Sequence, residues 1–415
     1  MTCWRGEVNS GSGIRARWLN RTVLGIGLAS LFSDWSHETA TTLLPAFLAS
    51  LGVGALWVGL IEGVSDGLSS FAKMASGYYT DRLRRRQPIA VAGYVVTALG
   101  TASFALATSA WHVLLGRALA WLGRGVRTPV RKALLAGAVT KETYGRAFGF
   151  ERMLDTVGAI VGPATAFLLL PVFHHRYQPL FVLTLVPGML AAAMLAFAVK
   201  ERERKPVPHV SFGEGLRALP PPFRQFLVAV GLFGLGDFAH TLLILLAAQA
   251  LTPHWGKAKA ASFATGLYLL HNALYAVFSM VAGWLADRLN KGRLLAAGYL
   301  LAALMALTVV LLPLNVWTLT IVFSVGGIYV GFRDTLEDSL GADLTNKEQH
   351  GVAFGTLATI NGVGDFMSSL VVGALWTACG TSVAFAYSAA LFIAGSWLAA
   401  RAARQRGARA TPSPA

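Results

Sequence analysis

The feature that most constrains this chain is the recurrence of apolar stretches about twenty residues long, the length a helix needs to cross roughly 30 Å of hydrocarbon. Pro88–Thr108, Pro179–Val199, Leu294–Pro313 and Ser382–Ala400 are the clearest of them. No water is present in a bilayer to satisfy bare backbone, so a single spanning segment must be a helix bonded to itself. Windows read from end to end predict about twelve spans, starting near Thr22, Gly54, Pro88, Ala110, Gly145, Pro179, Gln225, Ala260, Leu294, Val316, Val352 and Ser382. Composition agrees, since 55% of the 415 residues are apolar and 13% charged, with a mean hydropathy of +0.56. A water-soluble core cannot hide that much apolar surface. The expected fold class is all-α and integral to the membrane.

The formal net charge of +15 resembles a nucleic-acid footprint, yet the Lys and Arg residues sit in short segments between spans. They read as topology signals instead. Arg82, Arg84, Arg85 and Arg86 follow span two, Lys200, Arg202, Arg204 and Lys205 follow span six, and Arg288, Lys291 and Arg293 follow span eight. Connections on the opposite side hold only Arg176, Lys257 and Lys259. The positive-inside rule then places both termini in the cytoplasm. Thr22–Phe32 after its arginines imitates a signal peptide, but the apolar pattern resumes at Thr41, so it is read as an uncleaved first span. Cys3 and Cys379 are the only cysteines and lie far apart, which offers neither a disulfide framework nor a thiol metal site.

The chain reads as a duplicated half. GYYTDRLRRR from Gly77 and GWLADRLNKGR from Gly283 lie 206 residues apart, and the same offset carries Arg127 onto Arg333, YGRAFG at Tyr144 onto HGVAFG at His350, and Gly158 onto Gly364. Nearer the start of each half, Asp34-Trp-Ser-His37 matches Asp237-Phe-Ala-His240 at an offset of 203, as an Asp-x-x-His in each first helix. Two six-helix bundles in parallel repeat are a recurring transporter architecture with the substrate site at their interface. The expected organisation is a cytoplasmic tail 1–21, bundles 22–199 and 223–403, a charged, proline-containing linker 200–222, and a second cytoplasmic tail 404–415, disordered from 408.

GYYTDRLRRR resembles the cytoplasmic loop motif of the major facilitator superfamily, Gly-x-x-x-Asp-Arg-x-Gly-Arg-Arg/Lys, with Arg84 in place of the inner glycine. Gly77 permits a close helix crossing, Asp81 is suited to cap a helix amino terminus, and Arg82 and Arg85 can pair with acids or lipid phosphates. The resemblance implies that this loop, with its second copy at Gly283, Asp287 and Arg288, latches one conformational state. In span five, Gly149, Gly158, Gly162 and Pro163 resemble the Gly-x8-Gly-x3-Gly-Pro pattern of the superfamily's proton-linked exporters, with Ala166 and Phe167 replacing its trailing glycines. Gly158 and Gly162 form a smooth stripe for a neighbouring helix, and Pro163 removes a backbone donor. The bland alternative is ordinary helix packing.

Polar residues inside the spans carry the chemistry. Arg117 in LLGRALAWLGRG resembles the buried arginine the family uses in proton coupling, and Arg124 lies seven residues on along the same helix face. An arginine in hydrocarbon costs several kcal/mol unless it meets water or a partner, so Arg117 is expected to face a central cavity. Asp34 and Glu38 lie one turn apart on span one, and Glu62 and Asp66 likewise on span two, so each pair lines one face. Carboxylates so clustered repel one another, which suits them to bind and release a proton. His37 is a candidate relay between Asp34 and Glu38, although most lone membrane histidines are structural hydrogen-bonders. Trp35, Trp121, Asp155, Asp237, Asn272 and Asn361 are candidate cavity residues.

These features read as a secondary transporter working by alternating access, a proton-coupled antiporter exporting a small organic or drug-like solute. Asp34, Glu38, Glu62 or Asp66 would exchange protons, with Arg117 tuning them. A second reading keeps the fold and reverses the flux, with the span-four arginines binding an anionic metabolite or metal chelate for proton-coupled uptake. A membrane enzyme or sensor is the remote reading, since the sequence contains no P-loop, His-Glu-x-x-His or Gly-x-Ser-x-Gly motif. The expected partners are a small-molecule substrate and the lipid bilayer, with no nucleic acid, no metal and no cofactor beyond the coupling proton. The expected setting is a monomer in the plasma membrane, or the inner membrane of a Gram-negative cell.

Overall fold

The computed structural model describes residues 18–52, 55–201 and 212–410, and the described residues are almost all helical. Most of the expected amino-terminal tail, residues 202–211 of the linker and the last five residues lie outside them. The first half contains α1 (Arg21–Ser50), α2 (Ala55–Thr80), α3 (Gln87–Ala102), α4 (Ala110–Gly137), α5 (Tyr144–Val172) and the paired α6 (Gln178–Leu183) and α7 (Leu185–Ala198). A short α8 (Phe212–Arg217) precedes the second half, which holds α9 (Pro221–Gly234), α10 (Thr241–Trp255), α11 (Lys257–Ala286), α12 (Lys291–Leu311), α13 (Val316–Asp343), α14 (His350–Cys379) and α15 (Thr381–Ala410). The last helix runs to Ala410, so the expected disorder does not begin at 408.

Eight segments among the described residues are long and apolar enough to cross a membrane, beginning at Gln87, Lys141, Gln178, Lys259, Lys291, Val316, Lys347 and Thr381. The remaining expected spans are α1, α2, α4 and the α9–α10 pair. Their apolar character is diluted by the acids and arginines singled out in the sequence, and the last is interrupted. Helix starts are fixed locally: Asn20 accepts from the amides of Thr22 and Val23, and Asn315 from those of Trp317 and Thr318. Large apolar side chains such as Phe167, Phe197, Leu311 and Trp317 stay exposed, as an outer surface facing lipid requires.

One sequence expectation changes here. Asp237-Phe-Ala-His240 lies in the non-helical break between α9 and α10, whereas Asp34-Trp-Ser-His37 lies inside continuous α1. Gly236 sits against Leu391 and Ser388 of α15 in that break, at 3.0 and 3.1 Å from an ideal Cβ position. The two Asp-x-x-His runs therefore share sequence without sharing backbone.

The halves touch through α2 against α14 and α5 against α11. On the face bearing Asp81 and Asp287 the approach is backbone to backbone. A Cβ on Gly351 would fall 2.6 Å from Asp81 Oδ1, and one on Gly145 would fall 2.6 Å from Asp287 Oδ1. About four turns along α2 from Gly77, Gly63 has open space where a Cβ would be, and so does Gly373, about five turns along α14 from Gly355. The two halves are pressed together on the basic-loop face and splay toward the opposite one, leaving a cleft between them.

Candidate functional site

The closed face is built twice. Asp81 accepts from the backbone amides of Gly351 (3.0 Å) and Val352 (2.8 Å), the first turn of α14, and pairs directly with Arg86. Asp287 accepts from the amides of Gly145 (2.7 Å) and Arg146 (3.2 Å) at the start of α5, and from Arg146 Nε at 2.6 Å. Each acid thus caps a helix of the other half, where unpaired amides and the helix dipole favour an anion. Burial pushes the Asp81 carboxyl up, while Arg86 and the two amides pull the other way. Arg82 stacks on Tyr78 at 4.0 Å and Arg288 on Trp284 at 3.6 Å, again equivalent pairs. Arg85 is exposed. Gly77 and Gly283 meet the backbones of Gly351 and Gly145, and Gly149 meets Ser279 and Gly283, which only a residue without Cβ allows. The direct partners Arg86 and Arg146 were not among the sequence candidates. Arg86 was legible as the last residue of the basic run, whereas Arg146 has Val352 as its repeat-equivalent and gave no signal.

The cleft cluster gathers residues from three helices. Asp34, His37 and Glu38 come from α1, Asp66 from α2, and Arg117, Trp121 and Arg124 from α4. Arg124 reaches Asp34 at 3.6 Å, and His37 Nε2 lies 3.8 Å from Glu38. Trp121 is the hub: its Nε1 donates to Asp66 at 2.7 Å, its ring packs against His37 at 4.3 Å, and the Arg117 guanidinium stacks on it at 3.6 Å. Arg117, only 2% exposed, also donates to Thr41 at 3.0 Å. The side chain of Glu62 is outside the described residues. Trp35 turns elsewhere, donating to Thr165 of α5 at 2.8 Å. Across the cleft, Tyr268 is hydrogen-bonded to Asn272 and lies within electrostatic reach of Glu38.

The span-five glycines position this cluster. A Cβ on Gly158 would strike the Leu31 backbone, and one on Gly162 would fall 2.7 Å from the Glu38 Cβ and 2.8 Å from the Thr39 amide. Both glycines therefore draw α1 against α5, on the turns that present Asp34 and Glu38, and Pro163 continues the same helix unbroken. The stripe acts here as packing that sets the register of the acids.

Between cleft and closed face lies a buried ionic layer. Arg131 meets Glu151 (3.0 Å), Asp155 (3.2 Å) and Ser30 (2.5 Å). Arg152 meets Asp155 (3.2 Å) and reaches across to Asp338 (3.5 Å) and Asp334 (3.6 Å). Lys132 bonds to Asp338 at 2.6 Å, a pair of repeat-equivalent residues 206 apart that join the two halves. Arg333 contacts Asp334 (2.8 Å) and Asp237 directly, and Tyr329 donates to Asp237 at 3.0 Å. Glu337 accepts from Tyr299 (2.6 Å) and Asn361 (2.7 Å). Asp155, Asp237 and Asn361 thus belong to helix-to-helix contacts rather than to the open cleft. Asp334, Glu337 and Asp338 were missed although RDTLED places three acids on one helix within about a turn. Among the described residues no group of three or more His, Cys, Asp or Glu is placed to hold a metal.

Two pseudo-symmetric helical halves, latched on one face and enclosing a charged cleft open on the other, are the architecture of a membrane transporter. The chain matches the family description Major Facilitator Superfamily over residues 26–252 and 226–414, and it belongs to that superfamily. An uncharacterized MFS-type transporter of Methanocaldococcus jannaschii is 28% identical over 360 residues, covering 87% of this chain and 89% of that one. The multidrug resistance protein MdtH of Citrobacter koseri is 24% identical over 305 residues, covering 72% and 73%. Among solved structures, the transporter FucP in the outward conformation superposes with a TM-score of 0.74 at 17% identity, covering 92% of this chain and 99% of that one. The human organic anion transporter MFSD10 (TETRAN) gives 0.74 at 14% identity, covering 91% and 99%. The chain is thus a multi-pass membrane transporter of the small-molecule class.

Proposed function

We propose that this chain is a proton-coupled antiporter that exports a small organic, drug-like solute through the cytoplasmic membrane, with both termini in the cytoplasm. The observation that carries this reading is the cleft cluster, in which Asp34, Glu38 and Asp66 stand beside Arg117 and Arg124 at the open side. A desolvated carboxylate is stabilised by a proton, a cationic solute or a guanidinium, and it cannot hold all three. Competition for one group links the two fluxes in opposite directions, which is what antiport needs. Relatives named multidrug resistance protein support a drug-like solute. The basic loops on the face of Asp81 and Asp287 support a cytoplasmic assignment for that face, and so an outward-open arrangement of the cleft.

The test is reconstitution in liposomes holding a pH-sensitive dye, with an imposed proton gradient, comparing wild type with Asp34→Asn and Glu62→Gln across cationic drugs and organic anions. Proton release driven by a compound in wild type and absent from both variants supports antiport and identifies the solute class. If no compound moves protons, or the variants match wild type, coupling through these acids is wrong. The second reading, uptake of an anionic metabolite or chelate, draws support from Arg124, whose side chain is 30% exposed in the cleft. An organic anion and a proton moving in the same direction in that assay would favour it.

A further inference from the structure

The two halves carry the same acid–arginine couple in two different states. In the second half, Asp237 is 3% exposed and directly paired with Arg333, with Tyr329 donating to its other oxygen. The repeat-equivalents in the first half are Asp34 and Arg127, at the offsets of 203 and 206 already described. Asp34 is 5% exposed and Arg127 is 2% exposed, so the couple is as buried as its counterpart. They are not joined. Asp34 makes one long contact, 3.6 Å to Arg124. Arg127 lies with its guanidinium 4.1 Å over the Tyr94 ring, its Nε has no partner, and no carboxylate among the described residues forms an ion pair with it.

A guanidinium in a low dielectric without an anion is costly, and a tyrosine face recovers only part of that cost. The alternative partners are committed: Arg131 is held by Glu151, Asp155 and Ser30. Asp34 and Asp155 are both within electrostatic reach of Arg124, Arg127 and Arg131, but Asp155 is already paired with Arg131 and Arg152 at 3.2 Å each, which leaves Asp34 as the acid free to change partner. The sequence explains why the first half can open this pair and the second cannot. The position equivalent to Arg124 is Val330, so Asp237 has no rival cation on its helix face, whereas Asp34 has two to choose between. Arg124 is also the wetter of the two, with 30% of its side chain exposed because the halves splay at the cleft.

We infer that Asp34 exchanges Arg124 for Arg127 when the cleft closes, reproducing in the first half the Asp237–Arg333 pair of the second. Closing the mouth strips water from Arg124 and leaves Arg127 as the buried partner for the carboxylate. Arg127 is a positioning residue acting through Asp34, and this rests on alternating access alone, whatever the coupling ion.

The experiment places spin labels at Ala49→Cys and at the native exposed Cys379, in a Cys3→Ser background. These sites end α1 and α14 at the mouth of the cleft, and pulsed electron resonance measures the distance between them. Arg124→Val, the residue of the second half, is expected to move the distribution toward shorter distances. Arg127→Met is expected to keep it at the long distances and to abolish transport, with Arg127→Lys restoring part of the transport. In an Asp34→Asn background neither arginine substitution changes the distribution. The inference is overturned if Arg127→Met shortens the distances as Arg124→Val does, if Arg124→Val leaves them unchanged, or if its shift persists in Asp34→Asn. Should Arg127→Met not fold, Arg127→Lys and Arg124→Val with the Asp34→Asn background decide the question. A failure of the proton assay leaves these distance results untouched, so the two readings fail separately.

Discussion

Replacing Asp81 by Asn tests whether the closed face is held by the helix caps. Asp81 accepts two backbone amides of α14 and pairs with Arg86, all at a residue 3% exposed. Hydrogen bonds to a charged acceptor contribute about 1.5–3 kcal/mol each against about 0.5–1.5 for a neutral one, and Asn keeps one acceptor oxygen. The net loss is about 2–4 kcal/mol, or roughly 30- to 1000-fold in the balance between closed and open faces. Ser279 is fully buried in the α5–α11 contact beneath the second latch, so a cysteine there reports opening. In detergent, maleimide modification of Ser279→Cys should accelerate at least tenfold in Asp81→Asn. Asp287→Asn should do the same, because its carboxylate caps α5 as Asp81 caps α14. Unchanged modification in both variants, or opposite effects of the two, would refute the reasoning.

Gly351→Val puts a Cβ 2.5 Å from the Gly77 carbonyl and 2.6 Å from Asp81 Oδ1, so transport should be lost and the same cysteine exposed. Gly63→Ala meets nothing within 4 Å. It should keep transport within about twofold and raise the melting temperature slightly, since Ala is favoured over Gly in a helix by about 0.5–1 kcal/mol. Lys132→Met leaves Asp338 with only the longer Arg152 contact and should lower the melting temperature clearly. The exchange of Lys132→Asp with Asp338→Lys should recover most of the loss, and a double variant no better than the single one would show that the pair is not the cause.

The fold was legible because a bilayer leaves a chain few choices: length and apolarity define helices, and one constant offset defines the repeat. The cleft cluster was legible for a related reason. Asp34, Glu38, Asp66, Arg117 and Arg124 are out of place in hydrocarbon, and spacing alone put them on two or three helix faces. What the sequence did not display was which charges meet across the halves. Arg146 sits at the start of α5, and Asp334 and Asp338 lie in the last three turns of α13, toward the loop face of the bundle, where a charge needs no explanation until a second helix is seen against it. Asp237 shares its Asp-x-x-His run with Asp34, but it lies in the break between α9 and α10 and is paired with Arg333.

The repeat is kept where the two halves exchange caps and altered where they face each other across the axis. Asp81 and Asp287 lie away from that axis, each reaching an amide of the other half, so identical residues serve both copies. Residues at 132 and 338 touch their own equivalents. Two lysines or two aspartates there would repel by about 4 kcal/mol at 4 Å for an effective dielectric near 20, while a Lys–Asp pair gains a comparable amount before desolvation. Opposite charge at that pair is therefore what a duplicated helix needs to close on itself, and the neighbouring Arg131 and Glu337 show the same inversion. Once the axis is inverted, the first half keeps its surplus of cations on α4 and the acids of α1 and α2 gather opposite them. The functional asymmetry of the cleft then follows from electrostatics at the symmetry axis, with the latch free to remain symmetric.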